Sequence, residues 1–217
     1  MRIEMNSSYH QTRLRHDARR QILWKTLYDA YFSKWIEPHY HVLELGAGYG
    51  DFINSVRCAR RTAVDTFPGL PHYVRPEVAA HIGTVTDLSF LDDHSVDFAF
   101  ASNLFEHLTQ QEFAAVLAQL KRKLNRDGTL NILQPNYRRA YKEYFDDYTH
   151  VSVYSDASLC DFLEANGYRI LECRRALLPF SIKSKLPVSP MLIRLYLLSP
   201  WKPAAKQMFI RAQPVPQ

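Results

Sequence analysis

A tract of eleven residues, from His41 to Asp51, constrains the fold of this chain more than any other part of its sequence. It starts as an apolar run, continues with three glycines at alternate positions, Gly46, Gly48 and Gly50, and leads into a run that favours a helix. The apolar run predicts a buried strand, and the glycines allow a sharp turn that can approach a ligand more closely than any Cβ would permit. A helix after the turn would offer unpaired N–H groups to an anion. The tract is therefore typical of a loop that binds a nucleotide-type cofactor.

The spacing of the glycines narrows the choice of cofactor. Dinucleotide-binding domains use G-x-G-x-x-G, but this chain has Asp51 at the position of the third glycine. The spacing here is G-x-G-x-G, and Glu44 lies two residues before the first glycine. This tract resembles motif I of the class I S-adenosylmethionine-dependent methyltransferases. From this tract alone, a turn with a purely structural role remains the alternative to a cofactor-binding loop.

Strand and helix patterns alternate along the rest of the chain. A helix is predicted over 14–35 from apolar residues near helical spacing, which are Leu14, Ile22, Leu23, Leu27, Tyr31 and Trp35. Further helices are predicted over 51–59, 110–124 and 155–166, and strands over 41–45, 61–65, 81–85, 96–101, 129–133, 168–176 and 206–212. Gly128 and Gly167 follow two of these helices, and we expect the left-handed conformation that ends a helix at both. The alternation predicts an α/β fold with a mostly parallel, doubly wound sheet.

Length and composition favour one domain. The chain has 217 residues, of which 47% are hydrophobic and 23% charged, as in ordinary globular proteins. We expect a single domain over 1–217 with a helical extension over 1–38 and an insert over 177–205. No uncharged apolar run reaches the ~18 residues of a membrane span, and no signal peptide is recognisable, so a cytoplasmic location is expected. The three cysteines are scattered and predict neither a disulfide framework nor a structural zinc site.

The net charge of +5 and the pI near 9.1 raise the question of a polyanionic partner. Basic residues cluster near the N-terminus, at 121–123, at 138–139 and over 183–206. Solvated surfaces and helix ends explain each cluster more simply, and no RNA-binding motif is present. A nucleic-acid partner is therefore disfavoured.

The resemblance to class I methyltransferases extends over about residues 40 to 180 and implies a Rossmann-like sheet that ends in an antiparallel C-terminal hairpin. It also implies S-adenosyl-L-methionine as cofactor. In that family Asp65 would hold the ribose hydroxyls, Asp87 would accept from the adenine amino group, and Asn103 would line the methionine portion. The implied cofactor-binding set is Glu44, Gly46, Ala47, Gly48, Gly50, Asp65, Thr66, Asp87, Leu88 and Asn103. A cap or a turn remains the alternative for both aspartates.

The acceptor is expected to carry a hydroxyl. The segment after 96–101 lacks the Asn/Asp-Pro-Pro-aromatic tetrad with which enzymes of this fold methylate base amino groups. A hydroxyl acceptor favours a general base, and histidine titrates near neutral pH. His150 is preferred as base with Asp147 (or Asp146) as orienting carboxylate, and His107 is the second candidate; a purely structural role remains open for both histidines. No metal is expected.

The insert and the aromatic loop before it leave several functions open. The Asp-rich loop and the insert resemble bacterial methyltransferases of surface-polysaccharide pathways, which implies a small-molecule, sugar or glycan acceptor. Aromatic residues over 137–148 either line an acceptor pocket or pack the loop. The helix predicted over 190–201 fits a homodimer or other partner contact, a peripheral contact at the inner face of the membrane, or internal packing. The alternatives to an O-methyltransferase are a nucleic-acid-directed methyltransferase and a non-catalytic cofactor-fold protein that acts through the insert.

Overall fold

The chain forms two compact units in the computed structural model, which describes residues 16–179 and 188–215. Of the described residues, 16–84 and 188–200 belong to the first unit, and 85–179 and 201–215 to the second. Parts of the predicted extension (1–38) and of the predicted insert (177–205) fall outside the described residues. The expectation of a single domain stays a prediction.

The first unit contains three parallel strands in the order β3-β2-β1. These are β1 (His41–Leu45), β2 (Arg60–Asp65) and β3 (Val78–Ile82). All five residues of β1 are buried, as expected for a parallel strand covered on both faces. The predicted bounds of β1 and β2 are confirmed to within one residue. β3 was predicted over 81–85, but it begins and ends three residues earlier. Just after it, the Gly83 N–H donates to the carbonyl of Asp65 at 3.0 Å.

Helix α1 (Ala18–Leu27) opens the described part of the first unit. Its N-cap is Asp17, whose carboxylate accepts from the Arg19 N–H at 2.9 Å. The helical path continues through a π-helical turn and a 3₁₀ turn as far as residue 35, so the predicted helix is confirmed from residue 18 onward. Of its predicted apolar residues, Leu27 is buried but Ile22 is 44% exposed, and Trp24, which was not among them, is buried.

The helix predicted over 51–59 does not form. The structure has only a 3₁₀ turn at Ile53–Ser55 before the chain enters β2. Polar side chains here bond to the backbone and compete with helical pairing: Asn54 contacts Tyr73 O and Arg75 N at 2.8 Å each, and Ser55 Oγ donates to Asp51 O at 2.9 Å. The glycine tract therefore leads into a short turn and not into a helix N-terminus.

Two further helices lie in the first unit, α2 (Leu70–Tyr73) and, after the segment that is not described, α6 (Pro190–Leu198). Helix α6 packs against α1 and has no buried residue. The exposed hydrophobic side chains of α6 are Met191, Leu192, Leu195 and Leu198. In the described part of the chain, no helix has the length and apolarity needed to cross a membrane.

The second unit contains four strands in the order β4-β5-β7-β6. These are β4 (Val96–Ser102), β5 (Leu124–Pro135), β6 (Tyr168–Pro179) and β7 (Ala205–Pro214). β4 and β5 are parallel, and β7 is antiparallel to both β5 and β6. The predicted antiparallel hairpin is confirmed, and β5, β6 and β7 are each longer than predicted.

The helices of the second unit are α3 (Gln110–Lys123), α4 (Tyr137–Ala140) and α5 (Asp156–Ala165). Capping boxes at Thr109 and Ser155 start α3 and α5. Gly167 follows α5 with φ +72°, as predicted. The left-handed prediction for Gly128 is wrong, because β5 begins directly after α3 and includes this residue. A Cβ at Gly128 would lie 2.8 Å from the carbonyl oxygen of Val96, so a close backbone approach is the reason for this glycine.

Candidate functional site

The glycine loop follows β1 and contains all three left-handed residues of the predicted cofactor tract. Gly46, Gly48 and Gly50 have φ values of 64°, 55° and 65°, a conformation in which other residues are strained. The N–H groups of Gly46 and Ala47 both donate to Val64 O, at 2.9 and 3.2 Å. These bonds attach the start of the loop to β2.

Asp65 lies at the end of β2 and bonds to the same loop. Its Oδ2 accepts from the Gly48 N–H at 2.7 Å, and its Oδ1 accepts from the Phe67 N–H at 2.8 Å. Each carboxylate oxygen has two lone pairs, so both keep capacity for a ribose hydroxyl. Thr66, also predicted to bind the cofactor, is exposed beside Asp65.

Glu44 is buried in β1 under the loop. Glu44 is only 4% exposed, and its Oε2 accepts from the Ile53 N–H at 2.9 Å. Burial raises the pKa of Glu44 well above its usual value; the Ile53 hydrogen bond opposes this, and the charges of Asp51 and Asp65 add to it. The carboxyl group therefore supports the shape of the loop from below.

Sequence reasoning missed the contact between α1 and the glycine loop. Arg20 Nε lies 2.6 Å from Asp51 Oδ2, and the Asp51 carboxylate is buried. Next to this ion pair the rings of Trp24 and Phe52 meet edge to face, with centroids 5.8 Å apart. The 31 residues that separate Arg20 from Asp51 give no local sequence signal for such a pair.

Three other predicted cofactor residues belong to the second unit. Asp87 is exposed, and its Oδ1 accepts from the Ser89 N–H at 3.0 Å, which is the turn contact given above as its alternative. Leu88 is fully buried. Asn103, just after β4, has φ +49°, and its Oδ1 accepts from Gln207 Nε2 at 2.7 Å. Their assignment to the cofactor stays a prediction.

The predicted catalytic histidines come together in the second unit. His107 ends a 3₁₀ turn, Phe105–His107, that follows β4. The carbonyl oxygen of Glu106 accepts from the N–H groups of Val151 and Ser152 at 2.9 and 3.1 Å, which brings the two segments side by side. As a result the rings of His107 and His150 lie 4.8 Å apart between centroids, although 43 positions separate them in the chain.

Asp147 is connected to His107 through Thr149. Thr149 Oγ1 donates to Asp147 Oδ1 at 2.6 Å, so that its oxygen accepts from His107 Nδ1 at 2.9 Å. The carbonyl oxygen of Thr149, which can only accept, also lies 3.3 Å from Nδ1. Both contacts place the proton of neutral His107 on Nδ1, and Nε2 then carries the lone pair.

Burial and neighbouring charges shift the titration of this cluster. Burial lowers the pKa of His107 to about 4, and His150 adds to the effect, so His107 is neutral at pH 7. Burial also raises the pKa of Glu106 to about 8, and the Asp147 charge adds to it. For Asp147, burial raises the pKa, but the hydrogen bonds from Thr149 outweigh this and lower it, so the carboxylate is ionised.

The aromatic loop has one packed ring and several exposed rings, and its lining of an acceptor pocket stays a prediction. Tyr144 is fully buried, donates its hydroxyl to Ser152 O at 2.6 Å and packs its ring 4.6 Å from the ring of His150. Tyr141, Phe145 and Tyr148 are 55%, 59% and 65% exposed. Tyr144 thus holds the loop in place, and the other three present aromatic surface to solvent.

The residues of the first unit fit S-adenosyl-L-methionine. Three left-handed glycines at alternate positions allow a close approach of a ligand to the backbone of the turn, and the adjacent Asp65 carboxylate keeps acceptor capacity toward a ribose diol. Parallel strands, this loop and the strand-end carboxylate define an S-adenosylmethionine-dependent methyltransferase of class I. Residues 14–173 match the protein family described as "Methyltransferase domain", and the chain belongs to this family.

Solved structures of methyltransferases share the fold. An S-adenosylmethionine-dependent methyltransferase from Archaeoglobus fulgidus is 18% identical, with a TM-score of 0.66 over 89% of this chain and 93% of its own. A possible histamine N-methyltransferase from Thermotoga maritima is 18% identical, with a TM-score of 0.65 over 97% and 95%. Geranyl diphosphate C-methyltransferase from Streptomyces coelicolor A3(2), in complex with Mg²⁺, geranyl diphosphate and S-adenosyl-L-homocysteine, is 12% identical, with a TM-score of 0.63 over 89% and 77%. No curated protein sequence matches the chain.

Proposed function

We propose that this methyltransferase transfers the methyl group of S-adenosylmethionine to a hydroxyl oxygen of a small molecule, a sugar or a glycan. The observation that carries the proposal is the hydrogen-bond chain of Asp147, Thr149 and His107, which ends in a neutral imidazole with its lone pair on Nε2. A hydroxyl gains from such an oriented base, because it is a weak nucleophile until its proton is removed.

In this proposal the glycine loop and Asp65 hold the cofactor. The bare turn at Gly46, Gly48 and Gly50 receives its amino-acid end, and the Asp65 carboxylate accepts from its ribose hydroxyls. Glu44 keeps the loop in shape from below through the Ile53 N–H. When bound, S-adenosylmethionine supplies an electrophilic methyl group on sulfur.

His107 acts as the base in preference to His150. The sequence alone favoured His150, but the Thr149 hydroxyl orients the His107 ring and links it to an ionised carboxylate. The Asp147 charge would stabilise the imidazolium that forms when Nε2 takes the acceptor proton. His150 packs beside this ring and limits its orientation.

The exposed aromatic side chains of the same loop support a sugar-like acceptor. Tyr141, Phe145 and Tyr148 expose more than half of their surfaces within eight residues of the chain. Flat aromatic faces pack against the C–H faces of sugar rings, and a tyrosine adds a hydroxyl that can bond to the acceptor.

The proposal is tested by an acceptor screen with the purified protein. S-adenosyl-L-homocysteine release is measured with hydroxyl acceptors (sugars, nucleotide sugars and phenols) and with matched amines, and the position of the new methyl group is read by NMR. We expect an O-methyl product. Turnover with amines alone, or a methyl group on nitrogen or carbon, would contradict the proposal.

The role of the hydrogen-bond chain is tested at Thr149. Thr149→Val keeps the shape and removes the hydroxyl, whereas Thr149→Ser keeps the hydroxyl and serves as the matched control. We expect kcat to fall in the valine variant by about tenfold or more, within the ~10²–10⁴-fold that a general base supplies, with unchanged cofactor affinity. Equal kcat values for the two variants would show that Thr149 does not orient the base.

A further inference from the structure

Glu106, His107 and His150 form a cluster that a general base alone does not explain. One ligand atom from each residue lies within 4.8 Å of those of the other two. Glu106 is fully buried, His150 is 8% exposed and His107 is half-buried, so the cluster is enclosed on the side of Glu106 and reachable from the side of His107.

The Glu106 carboxyl group is the most unusual member. Within residues 16–179 and 188–215, neither Oε1 nor Oε2 has a hydrogen-bond partner, although both atoms are buried. A buried carboxyl group without partners is costly, and a carboxylate much more so, unless a cation compensates it. The other two members of the cluster are imidazoles, which are themselves metal ligands.

We propose that Glu106, His107 and His150 bind a divalent transition-metal ion, with Zn²⁺ as the best match. Two imidazole nitrogens and one carboxylate oxygen are a common donor set for Zn²⁺ and for Fe²⁺, whereas Mg²⁺ prefers oxygen ligands. Bonds of about 2.0–2.2 Å place such donors about 3–4 Å apart, so the ligand atoms need to close by about 1–2 Å from the 4.8 Å limit seen here. This proposal departs from the expectation, made from the sequence, that the protein binds no metal.

The surroundings of the cluster are those of a metal site. His107 directs Nδ1–H to Thr149, which is bonded in turn to Asp147, and this leaves the Nε2 lone pair as the donor. Metal-bound histidines are commonly oriented by such a second partner. The Tyr144 ring packs on His150, and the two N–H bonds to Glu106 O keep the three ligands on adjacent segments.

Three protein ligands would leave coordination positions for water or for an acceptor oxygen. Metal binding itself does not depend on the acceptor; only its effect on catalysis rests on the proposed function. The ion would use the same Nε2 lone pair as the proposed base, so a metal-loaded protein would hold the acceptor oxygen by coordination.

The test uses the full chain after removal of metals with a chelator. Zn²⁺ is titrated by calorimetry, and Co²⁺ is added as a spectroscopic substitute whose visible absorption reports nitrogen and oxygen ligation. We expect one Zn²⁺ per chain, a Co²⁺ spectrum that Zn²⁺ abolishes, and a higher Tm with the ion. The absence of stoichiometric binding would overturn the proposal.

Variants locate the ion. Glu106→Gln and His150→Asn are each expected to weaken Zn²⁺ binding by more than about tenfold, and His72→Asn, which changes an exposed histidine in the first unit, is the matched control. Metal-free Glu106→Gln should unfold at an equal or higher temperature than the metal-free wild type, because it removes a buried group that can ionise. Wild-type affinity in both cluster variants would overturn the proposal, and if Glu106→Gln does not fold, His150→Asn decides.

The outcomes separate this site from the proposed function. Zn²⁺ binding that is lost in the cluster variants, together with no methylation of hydroxyl acceptors, would retain the metal site and reject the function. Methylation of hydroxyls by a protein that binds no Zn²⁺ would retain the function and reject the metal site.

Discussion

Gly50 offers the sharpest test of how the glycine loop is built. It has φ +65°, and a Cβ added there would lie 2.6 Å from Val74 Cγ1. The same Cβ would lie 3.5 Å from side-chain atoms of Ile53 and Asn54, which is a normal van der Waals contact. Gly50→Ala therefore has two separate costs. The left-handed backbone costs an alanine about 1–2 kcal/mol, and the overlap with Val74 adds about 1–3 kcal/mol.

These costs predict a large change in unfolding. The sum is about 2–5 kcal/mol, and 1 kcal/mol shifts the Tm of a protein of this size by about 2–4 °C, so the Tm should fall by at least about 4 °C. The free energy of unfolding is measured in denaturant without cofactor, so that ligand binding does not contribute. Gly83→Ala is the matched control, because Gly83 has no left-handed φ and its Cβ would meet only the His81 ring, at 3.0 Å.

A double-mutant cycle with Val74→Ala separates the two costs. Removing Cγ1 should relieve the overlap and leave only the backbone strain of about 1–2 kcal/mol. Equal costs of Gly50→Ala in the two backgrounds would refute the steric argument. A Gly50→Ala protein within about 0.5 kcal/mol of the wild type would refute both parts.

Three other predictions concern the cofactor, the pH dependence and the surface. Asp65→Ala should weaken S-adenosyl-L-homocysteine binding by about 1–3 kcal/mol, because a charged acceptor is lost; an unchanged calorimetric Kd would contradict the ribose assignment. Burial raises the pKa of Glu44 in the folded protein, so the folded state holds this proton more tightly than the unfolded state and stability falls as pH rises above about 4.3. Glu44→Gln removes this part of the slope, so the stability of the variant relative to the wild type should rise as the pH increases above about 4.3. Parallel stability curves would refute the assignment. Leu195 and Leu198 of α6 are exposed, so replacing them with Glu should leave the Tm nearly unchanged. If α6 forms the predicted association surface, these variants should show less self-association or less vesicle binding in sedimentation assays. Unchanged sedimentation in both assays would reject that surface.

The sequence was most informative where structure is set locally. Three glycines after a buried strand can serve few purposes, and the observed φ values of Gly46, Gly48 and Gly50 agree with the turn predicted from them. Helices α3 and α5 were predicted almost to the residue, and the structure shows that local capping bonds at Thr109 and Ser155 set where they begin.

The sequence was least informative where contacts between distant segments of the chain determine the local structure. The turn after the glycine loop is held by Asn54 bonds to the chain around residue 74, which no helical propensity reveals. The sequence places Glu106 beside His107 but does not reveal that His150 is also near. That proximity depends on two N–H bonds to the Glu106 carbonyl from residues 45 and 46 positions further along the chain. Thr149 was missed for the same reason: a lone threonine has no pattern until both Asp147 and His107 are placed around it.

The position of β7 has a consequence for biosynthesis. β7 is translated after β6, yet it lies between β5 and β6 and bonds to both. While a ribosome is still making residues 205–214, β5 has an open hydrogen-bonding edge and β6 lacks the strand that attaches it to the sheet. The nascent second unit thus passes through a stage prone to pairing with other chains, and that stage ends only when β7 emerges and inserts.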